Sequence, residues 1–318
     1  MSTINHLVFI PHDLLSLIMR LTNNGSVFSL RRTCKPLLTA VYKRNEPCLR
    51  TIIIDTICDD DTNLFEWLVP GINSKYVIKY CEQSIKSGDL KIIKYLQTKF
   101  PKSECLWGNA SYEAAKNGHL EIIKYLHENG WSWDSNTCCT AATYGHLEVL
   151  EYLHENECPW NKWSCSGAAG NGHLETLEYL HENGCPWDEY ACAAAAGNEH
   201  IGILEYLHEN GCPWDENVCS DAATNGCLEC LKYLHENGCP WDKEACYGAV
   251  ENGHLEVLEY LHENKCPWDE KACIYAIQND HLGILKYLHE NGCSWDIYAY
   301  YDVVKNDQLS ILKYLSGN

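Results

Sequence analysis

Two files of cysteine run down the chain at a constant interval of 27 residues. Cys158, Cys185, Cys212, Cys239, Cys266 and Cys293 each stand before a Pro-Trp or Ser-Trp pair. Cys138, Cys165, Cys192, Cys219, Cys246 and Cys273 form the second file. Thiols at fixed spacing can pair as disulfides, ligate a soft metal or act as nucleophiles. Neighbouring rungs of one file would sit a helix-packing distance apart, ~8–10 Å, beyond the ~7 Å between Cα atoms that a disulfide tolerates. Within one unit Cys185 and Cys192 could approach, but that gap is not the Cys-x-x-Cys knuckle of a zinc site. Cys227-Leu228-Glu229-Cys230 has that spacing once, with no second knuckle. Three readings stand: a small buried hydrophobe, a metal ligand or a redox group. Periodic placement favours the first. The expectation is that all 20 cysteines are free thiols and that no metal is bound.

Histidine is periodic too. His127, His154, His181, His208, His235, His262 and His289 each precede Glu-Asn. There a cation complements the carboxyl end of a helix and caps its carbonyls. His119, His146, His173 and His254 open the same segment after a glycine. Catalysis needs one asymmetric convergence of nucleophile, base and orienting group, and a residue present in every unit reads as structural. Trp133, Trp160, Trp187, Trp214, Trp241, Trp268 and Trp295 keep the same interval. They form either a buried internal file or a row of partner anchors. No phosphate loop or nucleophile motif occurs, so no catalytic residue, metal ligand or cofactor is assigned and an enzyme is not expected.

The balance of 24 basic against 44 acidic residues, a formal charge of −20, argues against nucleic acid and anionic membranes and suits a basic protein partner. The longest apolar runs fall far short of the ~18 residues of a membrane span. The start, Met1-Ser2-Thr3-Ile4-Asn5-His6, lacks the charged region of a signal peptide, and a cytoplasmic protein is expected.

The elements that must carry these residues follow from the same interval. Tyr-Leu recurs at Tyr125, Tyr152, Tyr179, Tyr206, Tyr233, Tyr260, Tyr287 and Tyr314, always 27 residues apart. Upstream the register loosens through Tyr95 and Trp67, giving about ten units over residues 51–318, the first of them degenerate. In the unit Gly211 to Gly238, Asp215 stands where a helix N-cap belongs. Val218 to Ala223 forms a short helix, and Asn225-Gly226 ends it. Leu228, Leu231 and Leu234, with Cys230 and Tyr233 beside them, mark the stripe of a second amphipathic helix. Neither helix can bury its stripe alone, which predicts an all-α solenoid of stacked helix-turn-helix units, expected to be monomeric.

Asn171-Gly172-His173-Leu174-Glu175 through Glu178-Tyr179-Leu180-His181-Glu182-Asn183-Gly184-Cys185 resembles an ankyrin repeat. Ankyrin units run about 33 residues, and these run 27. The shortfall falls between Gly-Cys-Pro-Trp-Asp and the first helix, where the family carries its β-hairpin finger. Finger-less arrays of this kind are similar to those encoded by giant viruses of amoebae, which would place the chain in a host cytoplasm. The resemblance implies that the first helices line a concave, target-binding face. The expected anchors are positions that vary between units: Trp163, Tyr190, Asp221, Tyr247, Tyr275 and Tyr298.

Residues 1–50 differ in kind. Ile10-Pro11-His12-Asp13-Leu14-Leu15-Ser16-Leu17-Ile18 and Leu30-Arg31-Arg32-Thr33-Cys34-Lys35 resemble an F-box. That implies docking to the Skp-type adaptor of a cullin–RING ubiquitin ligase through Ile10, Pro11, Leu14, Leu15 and Ile18. The tryptophan usual after Cys-Lys is absent, Leu37-Leu38 standing near its place, and a helical cap on the first repeat is the alternative. The leading expectation is a substrate receptor that links a captured protein to the ligase. A plain scaffold or decoy is the rival.

Overall fold

In most units an Asp or Asn after the loop tryptophan starts a helix because its side chain accepts the first free amide protons. Asp134 takes those of Asn136 and Thr137, Asn161 that of Trp163, Asp215 that of Asn217, and Asp242 that of Glu244. The computed structural model describes residues 74–100, 107–294, 303 and 308–317. Every regular element among them is an α-helix, 17 in all. The chain divides into two compact units, Met1–Pro101 and Lys102–Asn318. In the former, α1 (Ser74–Ser87) and α2 (Leu90–Lys99) form one hairpin, with Asp89 capping α2 through the Ile92 amide at 3.1 Å.

The latter unit alternates two kinds of helix. First helices are α3 (Ala110–Lys116), α5 (Ser135–Thr143), α7 (Lys162–Gly170), α9 (Glu189–Gly197), α11 (Glu216–Thr224), α13 (Lys243–Glu251) and α15 (Glu270–Gln278). Second helices are α4 (Leu120–Glu128), α6 (Leu147–Glu155), α8 (Leu174–Glu182), α10 (Ile201–Glu209), α12 (Leu228–Glu236), α14 (Leu255–Glu263) and α16 (Leu282–Glu290), and α17 (Leu309–Gly317) ends the series. Successive first helices pack most densely, because their facing residues are small. Ala168-Ala169, Ala195-Ala196 and Ala222-Ala223 are wholly buried. Each second helix buries a trio such as Val149, Leu150 and Leu153, or Cys230, Leu231 and Leu234. Burial of each leucine is worth about 1.5–3 kcal/mol. Leu228, expected in that stripe, is only half-buried, since it begins the helix at the edge of the packed face.

Second helices end alike. In α8 the Gly184 amide donates to the His181 carbonyl at 3.0 Å and the Cys185 amide to that of Leu180 at 2.9 Å, with Gly184 at φ 78°, a Schellman motif. The Asn183 side-chain amide donates to the Tyr179 carbonyl at 2.8 Å. Asparagine therefore does the carbonyl capping that was expected of histidine. Glu157 and Lys265 occupy the glycine position at φ 62° and 65°, and a Cβ at Gly184 would meet nothing within 4 Å, so the strain is in the backbone alone. A left-handed L-residue costs about 1–2 kcal/mol, and glycine gives back about 0.5–1 kcal/mol in chain entropy. Glu157→Gly and Lys265→Gly should each stabilise the chain by about 0.5–1 kcal/mol in thermal melts, and Gly184→Glu should lower stability by a similar amount.

Units are joined by side chains that reach one unit onward. His154 stacks on Trp160 with ring centroids 3.9 Å apart, and its Nδ1 lies 2.9 Å from the Tyr179 hydroxyl of the next unit. The group recurs as His208–Trp214–Tyr233, His235–Trp241–Tyr260 and His262–Trp268–Tyr287. The described tryptophans of this file, Trp133 to Trp268, are half-buried, and those from Trp160 onward stack on histidine. A stacked internal tryptophan file is thus replaced by a mixed one, because the short loop sets each indole beside the end of the preceding unit's second helix. The second histidine set also bridges units. The Nε2 atoms of His146 and His254 lie 3.1 Å from the Lys116 and Thr224 carbonyls at the end of the preceding first helix.

The cysteines meet across units too, rather than within one as Cys185 and Cys192 were expected to. Each helix cysteine faces the cysteine 20 residues on, Cys165 against Cys185 and Cys273 against Cys293. The second of each pair also donates its thiol hydrogen to an N-cap carbonyl, Cys212 to Asp188 at 3.3 Å and Cys266 to Asp242 at 3.1 Å. All twelve are buried, but they hydrogen-bond as well as fill space.

Candidate functional site

The first helices carry what varies between units, and exposure separates these positions sharply. Two residues after each cap come Asn136, Trp163, Tyr190, Asn217, Glu244 and Lys271, and all six are exposed. This position lies in the first turn and projects beyond the neighbouring first helix. At its centre Trp163 and Tyr190 stand 50% and 49% exposed with ring centroids 5.4 Å apart. Lys162 lies between them, its Nζ 5.2 Å from each ring centre, and it is ion-paired to Asp188 at 2.6 Å. The ion pair pulls Asp188 away from capping, since its side chain caps no amide of α9. It also fixes the ammonium where both rings attract it. At one end of the row an open groove of about 480 Å³ runs between α3 and α5, lined by Asn109, Tyr112, Trp133, Asn136, Cys139 and Thr140.

The positions in the middle of the first helix behave differently. Asp221 is exposed, and its carboxyl is pushed above the usual carboxylate range by partial burial and by Asp215 nearby. Tyr275 is half-buried, its ring 5.2 Å edge-on from that of Tyr247. Tyr247 is only 3% exposed and so cannot serve as the surface anchor expected of it. Its hydroxyl donates to Asp269, the cap of the next first helix, and Lys243 reaches the same carboxylate at 3.2 Å. Burial and the Asp269 charge push the Tyr247 hydroxyl well above the ordinary phenol range. The Tyr247 hydrogen bond is in turn the main reason that Asp269 lies below the carboxylate range. The same register position holds Ser166, Ala193 and Ser220 in other units, so a tyrosine there turns inward along the stack. Tyr298, Ile10, Pro11, Leu14, Leu15 and Ile18 lie outside the described residues.

Two thiols outside the two periodic files are poor nucleophiles in this setting. Burial raises Cys81 to about 12, and Cys230, in the single Cys-x-x-Cys, likewise to about 12. Among the described residues no group of three or more His, Cys, Asp or Glu side chains converges as a metal cage would. No described helix is long and apolar enough to cross a membrane.

Helical hairpins in tandem, glycine-ended second helices and alanine-faced first helices agree with a family comparison. Residues 82–162, 166–245 and 220–299 match the family described as Ankyrin repeats (3 copies), together well over half of the chain. The chain belongs to the ankyrin repeat family. A comparison with curated proteins returns no match. As an ankyrin array the chain is a protein–protein interaction module, built on a scaffold whose family role is binding. The short ankyrin unit leaves the first-helix row, with no projecting finger beside it, as its most varied exposed surface.

Proposed function

We propose that this ankyrin protein is a substrate receptor. The row centred on Trp163 and Tyr190 captures a target protein, and residues 1–50 recruit the Skp-type adaptor of a cullin–RING ubiquitin ligase. The observation that carries the capture half is the pair of touching, half-exposed aromatic rings at a position that varies between units. Rigid aromatic surface is the commonest source of binding energy at protein interfaces. Support for the recruiting half is the F-box-like order Ile10-Pro11-His12-Asp13-Leu14-Leu15 with Ile18 four residues after Leu14, an apolar spacing that would suit an adaptor groove. The excess of acidic over basic residues favours a basic target.

The test uses the full chain and purified Skp-type adaptor. The wild-type chain should retain the adaptor. Leu14→Ala with Ile18→Ala should weaken retention ~30-fold or more, because buried aliphatic anchors cost about 2–4 kcal/mol on truncation. The double variant should keep its target, since repeats are held by nearest-neighbour contacts. A wild-type chain that never holds the adaptor at high concentration, with a lower melting temperature in the double variant, would assign residues 1–50 to capping instead.

A further inference from the structure

Twelve cysteines are used in six matched pairs, each joining the first helix of one unit to the loop of the next. The Sγ atoms of Cys273 and Cys293 are 2.9 Å apart. In two more pairs the helix thiol donates to its partner's backbone carbonyl, Cys138 to Cys158 at 3.8 Å and Cys165 to Cys185 at 4.0 Å, and Cys192 with Cys212, Cys219 with Cys239 and Cys246 with Cys266 repeat the same 20-residue register among buried side chains. The Cys273–Cys293 separation is closer than metal binding allows, because two thiolates ~2.3 Å from one tetrahedral ion stand ~3.8 Å apart. Disulfide formation requires an approach to ~2.05 Å, less than 1 Å of further movement from the 2.9 Å contact of Cys273 and Cys293. The two members are not equivalent. Helix cysteines such as Cys165, Cys219 and Cys273 are 0% exposed, whereas Cys185, Cys239 and Cys293 keep 4–5%, a narrow opening to a small oxidant.

We propose that these pairs are oxidation sites, at which a peroxide-class oxidant converts two facing thiols into a disulfide that ties each ankyrin unit to the next. The loop cysteine meets the oxidant first. Its sulfur attacks one peroxide oxygen, the O–O bond breaks, and a sulfenic acid and one water result. The helix cysteine sulfur then attacks that sulfenic sulfur. The S–O bond breaks, and the departing hydroxide leaves as water with the proton of the attacking thiol. One peroxide is reduced to two waters as two thiols become one disulfide. Cys293 is the site placed to react first. Cys273 donates its thiol hydrogen to it, which holds the Cys293 thiol below its ordinary value against the effect of burial. The other eight cysteines of the 20 lie outside this pattern.

The experiment treats the fully reduced, full-length chain with hydrogen peroxide and then alkylates the remaining thiols. Cross-linked peptides are mapped by mass spectrometry without reduction. Titratable thiols should fall from 20 towards eight. Links should join residues 20 apart, with Cys273–Cys293 earliest, and the melting temperature should rise by several degrees and return on treatment with dithiothreitol. In Cys293→Ser that one link should vanish while the other five form. Should this variant fail to fold, the wild-type map decides alone. Links such as Cys185–Cys192 within a unit, links only between chains, sulfinic or sulfonic acids without links, or unchanged thiols in a folded chain would each overturn the proposal.

Discussion

Deleting Cys212–Gly238, one whole unit, should leave a folded protein one step shorter, whereas deleting Cys212–Thr224 alone should unfold the array around the cut. The reason lies in which partners each deletion restores. After the full deletion Gly211 runs into Cys239, so Cys239 comes to face Cys192 in place of Cys212. Tyr260 arrives where Tyr233 met the His208 ring, and α13 packs on α9 as α11 did. Every lost contact is replaced by its equivalent, and only the stability of one repeat is forfeited. The shorter deletion removes α11 and keeps α12. Cys230, Leu231 and Leu234 then lose the helix that covers them, and the alanine faces of α9 and α13 lose their partner. Three uncovered core side chains at about 1.5–3 kcal/mol each amount to a large part of a typical total stability of about 5–15 kcal/mol. Circular dichroism and urea titration separate the outcomes: one cooperative transition with a modestly lower midpoint for the 27-residue deletion, and lost helicity for the 13-residue one. Equal unfolding of both would show that the units do not behave as modules.

The second large effect is expected at the exposed aromatic pair. Trp163→Ala with Tyr190→Ala should reduce retention of the co-purified target by ~10²–10³-fold, because aromatic anchors each contribute about 2 kcal/mol or more and every 1.4 kcal/mol is tenfold. The two contributions fall short of adding, since the rings touch at 5.4 Å and share Lys162. Folding should change by less than about 0.5 kcal/mol, as for most surface substitutions, and matched thermal melts provide that control. Asn217→Ala, on the same row but with no ring, should weaken binding by less than tenfold. Unchanged retention in the double variant would move the binding surface elsewhere on the array.

Much of this was legible in the residues themselves. The 27-residue interval placed the described helices from α4 onward, and the Asp/Asn caps and glycine stops placed their ends, because those signals act within a few residues of chain. What acts between units was not legible. Cysteine pairing runs across 20 residues from one helix to the next loop, and nothing in a linear pattern tells Cys185 that it faces Cys165 rather than Cys192. Tyr247 was read as a surface anchor because it differs from its counterparts. However, a residue may differ because it fills a space its neighbours leave, and Tyr247 fills one beside Asp269. The tryptophans kept a strict interval, which signalled structure correctly but not their half-exposed stacking on histidine. The histidines were legible as structural and misread as carbonyl caps, since the adjacent asparagine reaches those carbonyls on a shorter arm.

The exposed row on the first helices works as a ruler. Stacked helices are spaced ~8–10 Å apart, so Asn136, Trp163, Tyr190, Asn217, Glu244 and Lys271 are graduations at that interval, bearing five different residue types among them. Two turns of an α-helix advance ~10.5 Å in seven residues, which means a helical ligand laid along the row would bring every seventh side chain onto a new mark. Rewriting a single graduation leaves the stack beneath it untouched, and inserting a unit lengthens the scale by one division. On the proposed binding row, selectivity would then be spelled out one letter per repeat, in an order that the ligand reads from end to end.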